Sequence, residues 1–333
     1  MRIFTFITHG DGQIGIGHLL RCFFIAEWLK KILIKDIKIQ YLILDSGDCA
    51  LAKTIINDRK DRDDIIEITN FVEIATRKFD CLIVDMLDVD ENVIKKLKNI
   101  SNRLISIDNT SKSRCHSDVC INPLYYDVHS CVNLPMDFIG PHYHINSPKL
   151  FDKTINFNSQ VENILIMQGG SDPLNNLERI SSIIEDVIKT YPEITFNFLI
   201  GPAYSHPKEW IFNLMSKYEN INSYENEVDV LKIYSKMDLA ISSVGISALE
   251  IASLGIPSIH FTRVKKEKKT ATYIQKLGLS IFVNDSNENH RSILINEISE
   301  MIVNKEKRFS MHKLCKNYFN IDNTTNFIRR IIN

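Results

Sequence analysis

The chain contains no Cys-x-x-Cys pair, and its seven cysteines, at 22, 49, 81, 115, 120, 131 and 315, are an odd number. That spread predicts reduced, mostly structural thiols rather than a disulfide framework. No apolar run approaches the length of a membrane span. No secretory signal stands at the start, because Arg2 and His9 interrupt a short apolar stretch and no cleavage-like site follows. We therefore expect a cytoplasmic protein without stable membrane insertion. An excess of one charge is also missing: 40 Lys and Arg stand against 41 Asp and Glu, a net charge of -1. No overall field draws such a chain to nucleic acid or to acidic membranes. Repeats at solenoid spacing are absent too.

What remains is ordinary globular composition, 44% hydrophobic and 24% charged, over 333 residues, enough for two domains. Apolar runs alternate with helical patterns. Strands are predicted over 1–7, 37–45, 65–68, 81–85, 103–108 and 119–123, with helices at 20–33, 48–58, 70–77 and 90–99, the last capped by Asp88 or Asp90. The stretch 125–160 has poor periodicity and reads as loop and linker. A second series then begins: strands at 162–168, 195–200, 221–224, 238–242 and 257–261, with helices at 175–189, 207–218, 227–236 and 248–254. Beyond these the chain reads as helical over 268–277, 290–304 and 306–332, with a break near Asp322 and Asn323. Alternation of this kind predicts two doubly wound α/β domains. We place them at 1–154 and 155–333, facing a ligand between them, with the last helix packing back on the N-terminal domain.

Three strand-to-helix turns carry the chemistry. In the first, Gly15 and Gly17 bracket an approach to His18 and Arg21. Leu20 occupies the slot of the third glycine of a dinucleotide fingerprint, and no P-loop Lys-Ser/Thr is present. His18 is either a ligand-facing group or a residue that caps or packs the turn. The second turn is Gly169, Gly170, Ser171 and Asp172, where exposed backbone N–H groups suit phosphate, or Ser171 or Asp172 caps a helix. The third is Gly245 and Ser247 with Glu250 one turn inside the helix, a place for diphosphate and ribose hydroxyls, or else Glu250 is a surface residue. Asp85 and Asp108 end strands, where α/β sites form. His142 and His144 flank Tyr143 and read as solvated loop histidines rather than a metal pair. Lys265, Lys266, Lys268 and Lys269 are a solvated helix entry or a diphosphate contact.

Taken in order, Gly15-x-Gly17-His18-x-x-Arg21, Asp85, Asp108, Asn122-Pro123, Gly140-x-x-Tyr143, Gly169-Gly170-Ser171-Asp172 and Gly245-x-Ser247-x-x-Glu250 resemble the nucleotide-sugar hydrolases of pseudaminic acid biosynthesis and the related spore-coat polysaccharide proteins. The resemblance covers roughly residues 1–285 and extends more loosely to two-Rossmann-domain (GT-B) glycosyltransferases, including the lipid II-forming enzyme of peptidoglycan synthesis. It implies a GT-B fold, a UDP-linked 2,4-diacetamido-trideoxy sugar as substrate, His18 as the base that activates water, and no metal or other cofactor. It further implies Gly169, Gly170, Ser171 and Asp172 near phosphate, Gly245 and Ser247 near diphosphate, Glu250 on the ribose and Thr270 in the nucleotide site. Gly15, Gly17, Arg21, Asp85, Asp108 and Tyr143 fall on the sugar side. Three positions depart from the family pattern: Leu87 stands for a tyrosine, the arginine after Tyr143 is missing, and Lys266-Glu267 replace Asn-Gln before Thr270-Ala271. All three lie on the sugar side, so the expected substrate is that nucleotide sugar or a related one. A GT-B glycosyltransferase and a non-catalytic nucleotide-sugar-binding partner are the alternatives, and a monomer is expected.

Overall fold

The computed structural model describes residues 1–9, 17–33, 37–44, 56, 61, 64–124, 128–152, 155–225, 227, 230–262 and 264–332. The chain divides into two compact units, Met1–Lys149 with Ile321–Asn333, and Leu150–Asn320.

The first unit is built on seven strands: β1 Arg2–His9, β2 Ile37–Leu44, β3 Ile65–Thr69, β4 Phe79–Asp85, β5 Ser101–Ile107, β6 Val119–Asn122 and β7 Met136–Ile139. They pair in parallel in the order β3-β2-β1-β4-β5-β6-β7. The central strands are apolar on both faces, as a doubly covered parallel sheet requires. On one face Ile7, Leu82, Val84 and Leu104 pack with Ile94 and Leu97 of the helix Glu91–Asn99. Phe6 stacks on Tyr41 at 5.3 Å, and Phe23 of the first helix, Gly17–Leu33, closes on Tyr41 at 4.7 Å. Asp90 caps the helix Glu91–Asn99 by accepting from the N–H groups of Asn92 and Val93. Asp88 instead accepts from both the N–H and hydroxyl of Thr110, linking the turns after β4 and β5. The last helix, Ile321–Ile332, sets Phe327 against Phe138 of β7.

The second unit carries β8 Asn163–Met167, β9 Thr195–Ile200, β10 Ile221–Glu225, β11 Leu239–Ser242, β12 Ser258–Thr262 and β13 Ile281–Asn284, again all parallel, in the order β10-β9-β8-β11-β12-β13. Leu165, Met167, Leu199 and Ala240 pack there with Tyr234 and Ile251. Gly255, at φ +79°, ends the helix Ile246–Ser253 as its position predicts.

Several sequence expectations are corrected. β7, the 3-10 turn Pro141–Tyr143 and the helix Pro148–Phe151 lie in the stretch expected as loop and linker. β13 was not expected either. Both β7 and β13 are four-residue edge strands, too short to show a period. The break expected near Asp322 and Asn323 falls at Phe319–Asn320. Cys115 and Cys131, 16 positions apart in sequence, form a disulfide with their Cα atoms 5.3 Å apart. Cys22, Cys81, Cys120 and Cys315 are buried free thiols, and Cys49 lies outside the described residues. The helix predicted over 48–58 falls almost wholly outside the described residues.

Candidate functional site

In the first unit, four predicted residues converge at the C-terminal edge of the sheet. Asp85 is the last residue of β4, paired with Thr8 of β1 and Ile107 of β5. Asp108 follows β5 with a left-handed backbone, φ +59°, a costly conformation for a non-glycine residue and one that clusters at working sites. The first helix opens above these strand ends, so His18 lies in its first turn and Arg21, three residues on, shares its face. Asp85 is at the point where β1 and β4 lead in opposite directions across the sheet, the usual ligand position of such folds.

The His18 Nδ1 atom lies 2.7 Å from Asp85 Oδ1. Arg21 donates from Nε to Asp85 Oδ2 at 2.7 Å and from Nη2 to Asp85 Oδ1 at 2.6 Å. The same Nη2 donates to Asp108 Oδ2 at 2.5 Å. Arg21, Asp85 and Asp108 are buried, while His18 keeps 14% of its side chain exposed. With Nδ1–H donated to Asp85, the Nε2 lone pair is left as an acceptor, the tautomer of a general base. Burial disfavours charge on both Arg21 and Asp85. The guanidinium nevertheless stays above its ordinary range, because Asp108 and Asp85 face it, and Asp85 stays below its own, because Arg21 does.

His144 is buried, not solvated as expected. Burial, and then the charge of Arg21, push its imidazole down to about 3, so it is neutral. The fold encloses it because Trp28 donates to the carbonyl of Asn146 at 2.7 Å and Ser147 to Glu27 at 2.6 Å, drawing its loop onto the first helix. Tyr143 is not brought to the cluster. Its ring packs on Phe138 and Phe327, each at 5.0 Å. Gly17 is the first residue of the helix, and Gly15 lies outside the described residues.

In the second unit, β8 and β11 are neighbours, with Met167 opposite Ser242. Their following turns therefore lie side by side: a Cβ built on Gly169 would be 3.7 Å from Ser243 Oγ. Gly169 is left-handed at φ +76°, while Gly170 and Gly245 have open space where a Cβ would stand. The half-buried Ser171 belongs to the same turn as Gly170. Gly245 is the N-cap of the helix Ile246–Ser253, whose first N–H groups and positive end suit an anion. Ser247 lies half-buried in that helix's first turn. Glu250 is buried in the same helix rather than on the surface, and Thr270 is buried in the helix Lys265–Lys276. Asp172 takes the capping alternative: its two oxygens accept from the N–H groups of Asn176 and Leu177, each at 2.8 Å.

Two residues were missed as participants. Gly201 braces the paired glycines so closely that a Cβ there would lie 2.4 Å from the carbonyl oxygens of Gly169 and Gly170. Its position directly after a strand was its only signal. Glu267 accepts from the Thr262 hydroxyl and the Val244 backbone, beside Gly245, and burial raises its carboxyl. Its signal was the departure from Asn-Gln. Among the described residues, His18, Asp85 and Asp108 are also the one group of metal-ligand type, but the cation among them is Arg21.

No protein-family model matches the chain. It is 26% identical over 276 residues to the uncharacterized protein MJ1062 of Methanocaldococcus jannaschii, covering 76% of this chain and 54% of that one, so it spans about half of that relative's length. It is 24% identical over 318 residues to the spore coat polysaccharide biosynthesis protein SpsG of Bacillus subtilis, covering 91% and 90%. Among solved structures, MurG of Acinetobacter baumannii matches with a TM-score of 0.67 at 13% identity, over 100% of this chain and 99% of that one. The UDP-GlcNAc 2-epimerase of Neisseria meningitidis, bound to UDP-GlcNAc, matches with 0.63 at 14% identity, over 100% and 99%. No helix among the described residues is long and apolar enough to cross a membrane. The fold is thus α/β of the GT-B type, with two Rossmann-like units, each on its own parallel sheet.

Proposed function

We propose that the chain hydrolyses a nucleotide sugar, releasing the free sugar and a nucleoside diphosphate, in the assembly of a surface polysaccharide or a nonulosonic acid. The observation that carries this reading is the His18–Asp85 contact of 2.7 Å, with Nε2 left as an acceptor. In the reaction, water attacks the anomeric carbon and gives its proton to Nε2. The bond from that carbon to the diphosphate breaks, and the diphosphate leaves as an anion. Asp85 steadies the imidazolium that forms. Within the second unit, the backbone N–H groups at Gly169, Gly170 and Gly245 and the N-terminus of the helix Ile246–Ser253 suit a nucleoside diphosphate. The scheme invokes no metal, because His18 alone activates the water. Similarity to the spore-coat polysaccharide protein and to a structure bound to UDP-GlcNAc supports the substrate class, with UDP as the leaving group and a 2,4-diacetamido-2,4,6-trideoxy hexose as the first sugar to try.

The test is to incubate purified protein with a panel of UDP-sugars and follow UDP release, with and without sugar or lipid acceptors. Release that needs water alone supports hydrolysis. Release that appears only with an acceptor overturns it in favour of glycosyl transfer. Binding without release assigns a non-catalytic partner.

A further inference from the structure

The geometry points to Arg21 as a resident cation that keeps divalent metal off His18. A single atom, Arg21 Nη2, lies 2.6 Å from Asp85 Oδ1, 2.5 Å from Asp108 Oδ2 and 3.2 Å from His18 Nδ1. Those three atoms lie within 4.8 Å of one another, the convergence of a one-histidine, two-carboxylate metal site. The centre of that ligand set is filled by a guanidinium nitrogen. Its charge does what an ion's would: it draws two buried carboxylates together.

The two cations differ in what they leave His18. A metal takes the lone pair of Nδ1, so the ring's proton must sit on Nε2 and the exposed edge becomes a donor. A guanidinium nitrogen has no vacant orbital for a lone pair. Nδ1 keeps its proton and donates it to Asp85, and Nε2 keeps its lone pair. Arg21 thus fixes the tautomer through Asp85, as a positioning residue. Arg21 Nη1 and Asp108 Oδ1 are buried without a hydrogen-bond partner among the described residues. A buried polar atom left without a partner is costly, so this arrangement serves placement of charge better than saturation of hydrogen bonds. The inference does not depend on the hydrolysis reading, because its test measures metal binding rather than turnover.

The experiment is zinc titration by calorimetry, with cobalt absorbance as a second probe, on wild type, R21A, R21A/H18A and R21K. We expect R21A to bind about one more ion per chain than wild type, to melt several degrees higher with zinc while wild type does not shift, and to lose the extra ion in R21A/H18A. Folded R21A that binds no more zinc than wild type overturns the inference, as does wild type binding zinc through His18. Where R21A is recovered folded only in the presence of zinc, the inference is upheld. Where it does not fold even then, R21K decides. A folded R21K supports the role of charge. An R21K as unfolded as R21A overturns that role, since then the fork of the guanidinium, not its charge, is what the site needs.

Discussion

The Nδ1 atom of His18 and the Oδ1 atom of Asp85 lie 2.7 Å apart across 67 positions of sequence. The helix after β1 supplies the imidazole, and the neighbouring strand β4 supplies the carboxylate. One hydrogen bond thereby decides which edge of the histidine faces outward.

If that bond sets the tautomer, D85N should fold and bind nucleotide while UDP release falls by roughly 10²–10⁴-fold. H18A should lose at least as much, and the double variant little more, because the two act as a unit. Independent, additive losses would refute the dyad. UDP release measured under saturating substrate decides.

Removing one partner of the buried ion cluster should cost stability as well. D108N leaves Asp85 to carry the Arg21 charge alone, and we expect a loss of about 3–5 kcal/mol in urea unfolding. A loss below about 1 kcal/mol would mean that Asp108 is not paired in solution.

Acid should weaken both units through buried histidines. Burial and the charge of Arg21 hold His144 at about 3, and burial holds His260 at about 4. Each folds neutral. Between pH 6.5 and those values the unfolded chain binds the additional proton, so stability is full above about pH 6.5 and falls as pH drops. At pH 5 the loss is about 2 kcal/mol per histidine. Asp85, held below the usual carboxylate range by Arg21, adds its loss only at lower pH. Urea midpoints at pH 7 and pH 5 for wild type, H144F and H260F test this. Slopes that the substitutions leave unchanged would contradict it.

The glycine turns separate folding from binding. G201A should distort the Gly169–Gly170 turn, because its Cβ meets two backbone carbonyls at 2.4 Å. We expect it to lower both the melting temperature and UDP affinity. G245A, with open space at the Cβ, should leave melting within about 1 °C and weaken UDP binding alone. Unaltered UDP affinity in G245A, measured by calorimetry, would remove that turn from the nucleotide site.

The Cys115–Cys131 bond closes a loop that includes β6 and returns to the residues after Asp108, where the His129 N–H donates to the Thr110 carbonyl at 3.0 Å. C131S should cost about 2–4 kcal/mol under oxidising conditions, and reductant should bring wild type to the same level. Identical urea midpoints with and without reductant would show that the bond carries no stability.

Much was legible from local pattern. The continuous apolar runs of β1, β4, β5, β8 and β11 announce parallel strands, and the small residues after them announce turns, because both depend on neighbours in sequence. The two-unit α/β architecture follows from their alternation. His18, Arg21, Asp85 and Asp108 could each be named, since α/β sites form at strand ends. What no spacing discloses is that Arg21 Nη2 touches both carboxylates, that His144 is enclosed beside them, or that Cys115 finds Cys131. Those facts depend on the order in which strands pair and on loops drawn together by Trp28 and Glu27. The sequence by itself determined the units, the turns and the kinds of residue at them. Only the tertiary structure decided their partners, because a buried charge is held by what lies across the sheet rather than by what lies along the chain.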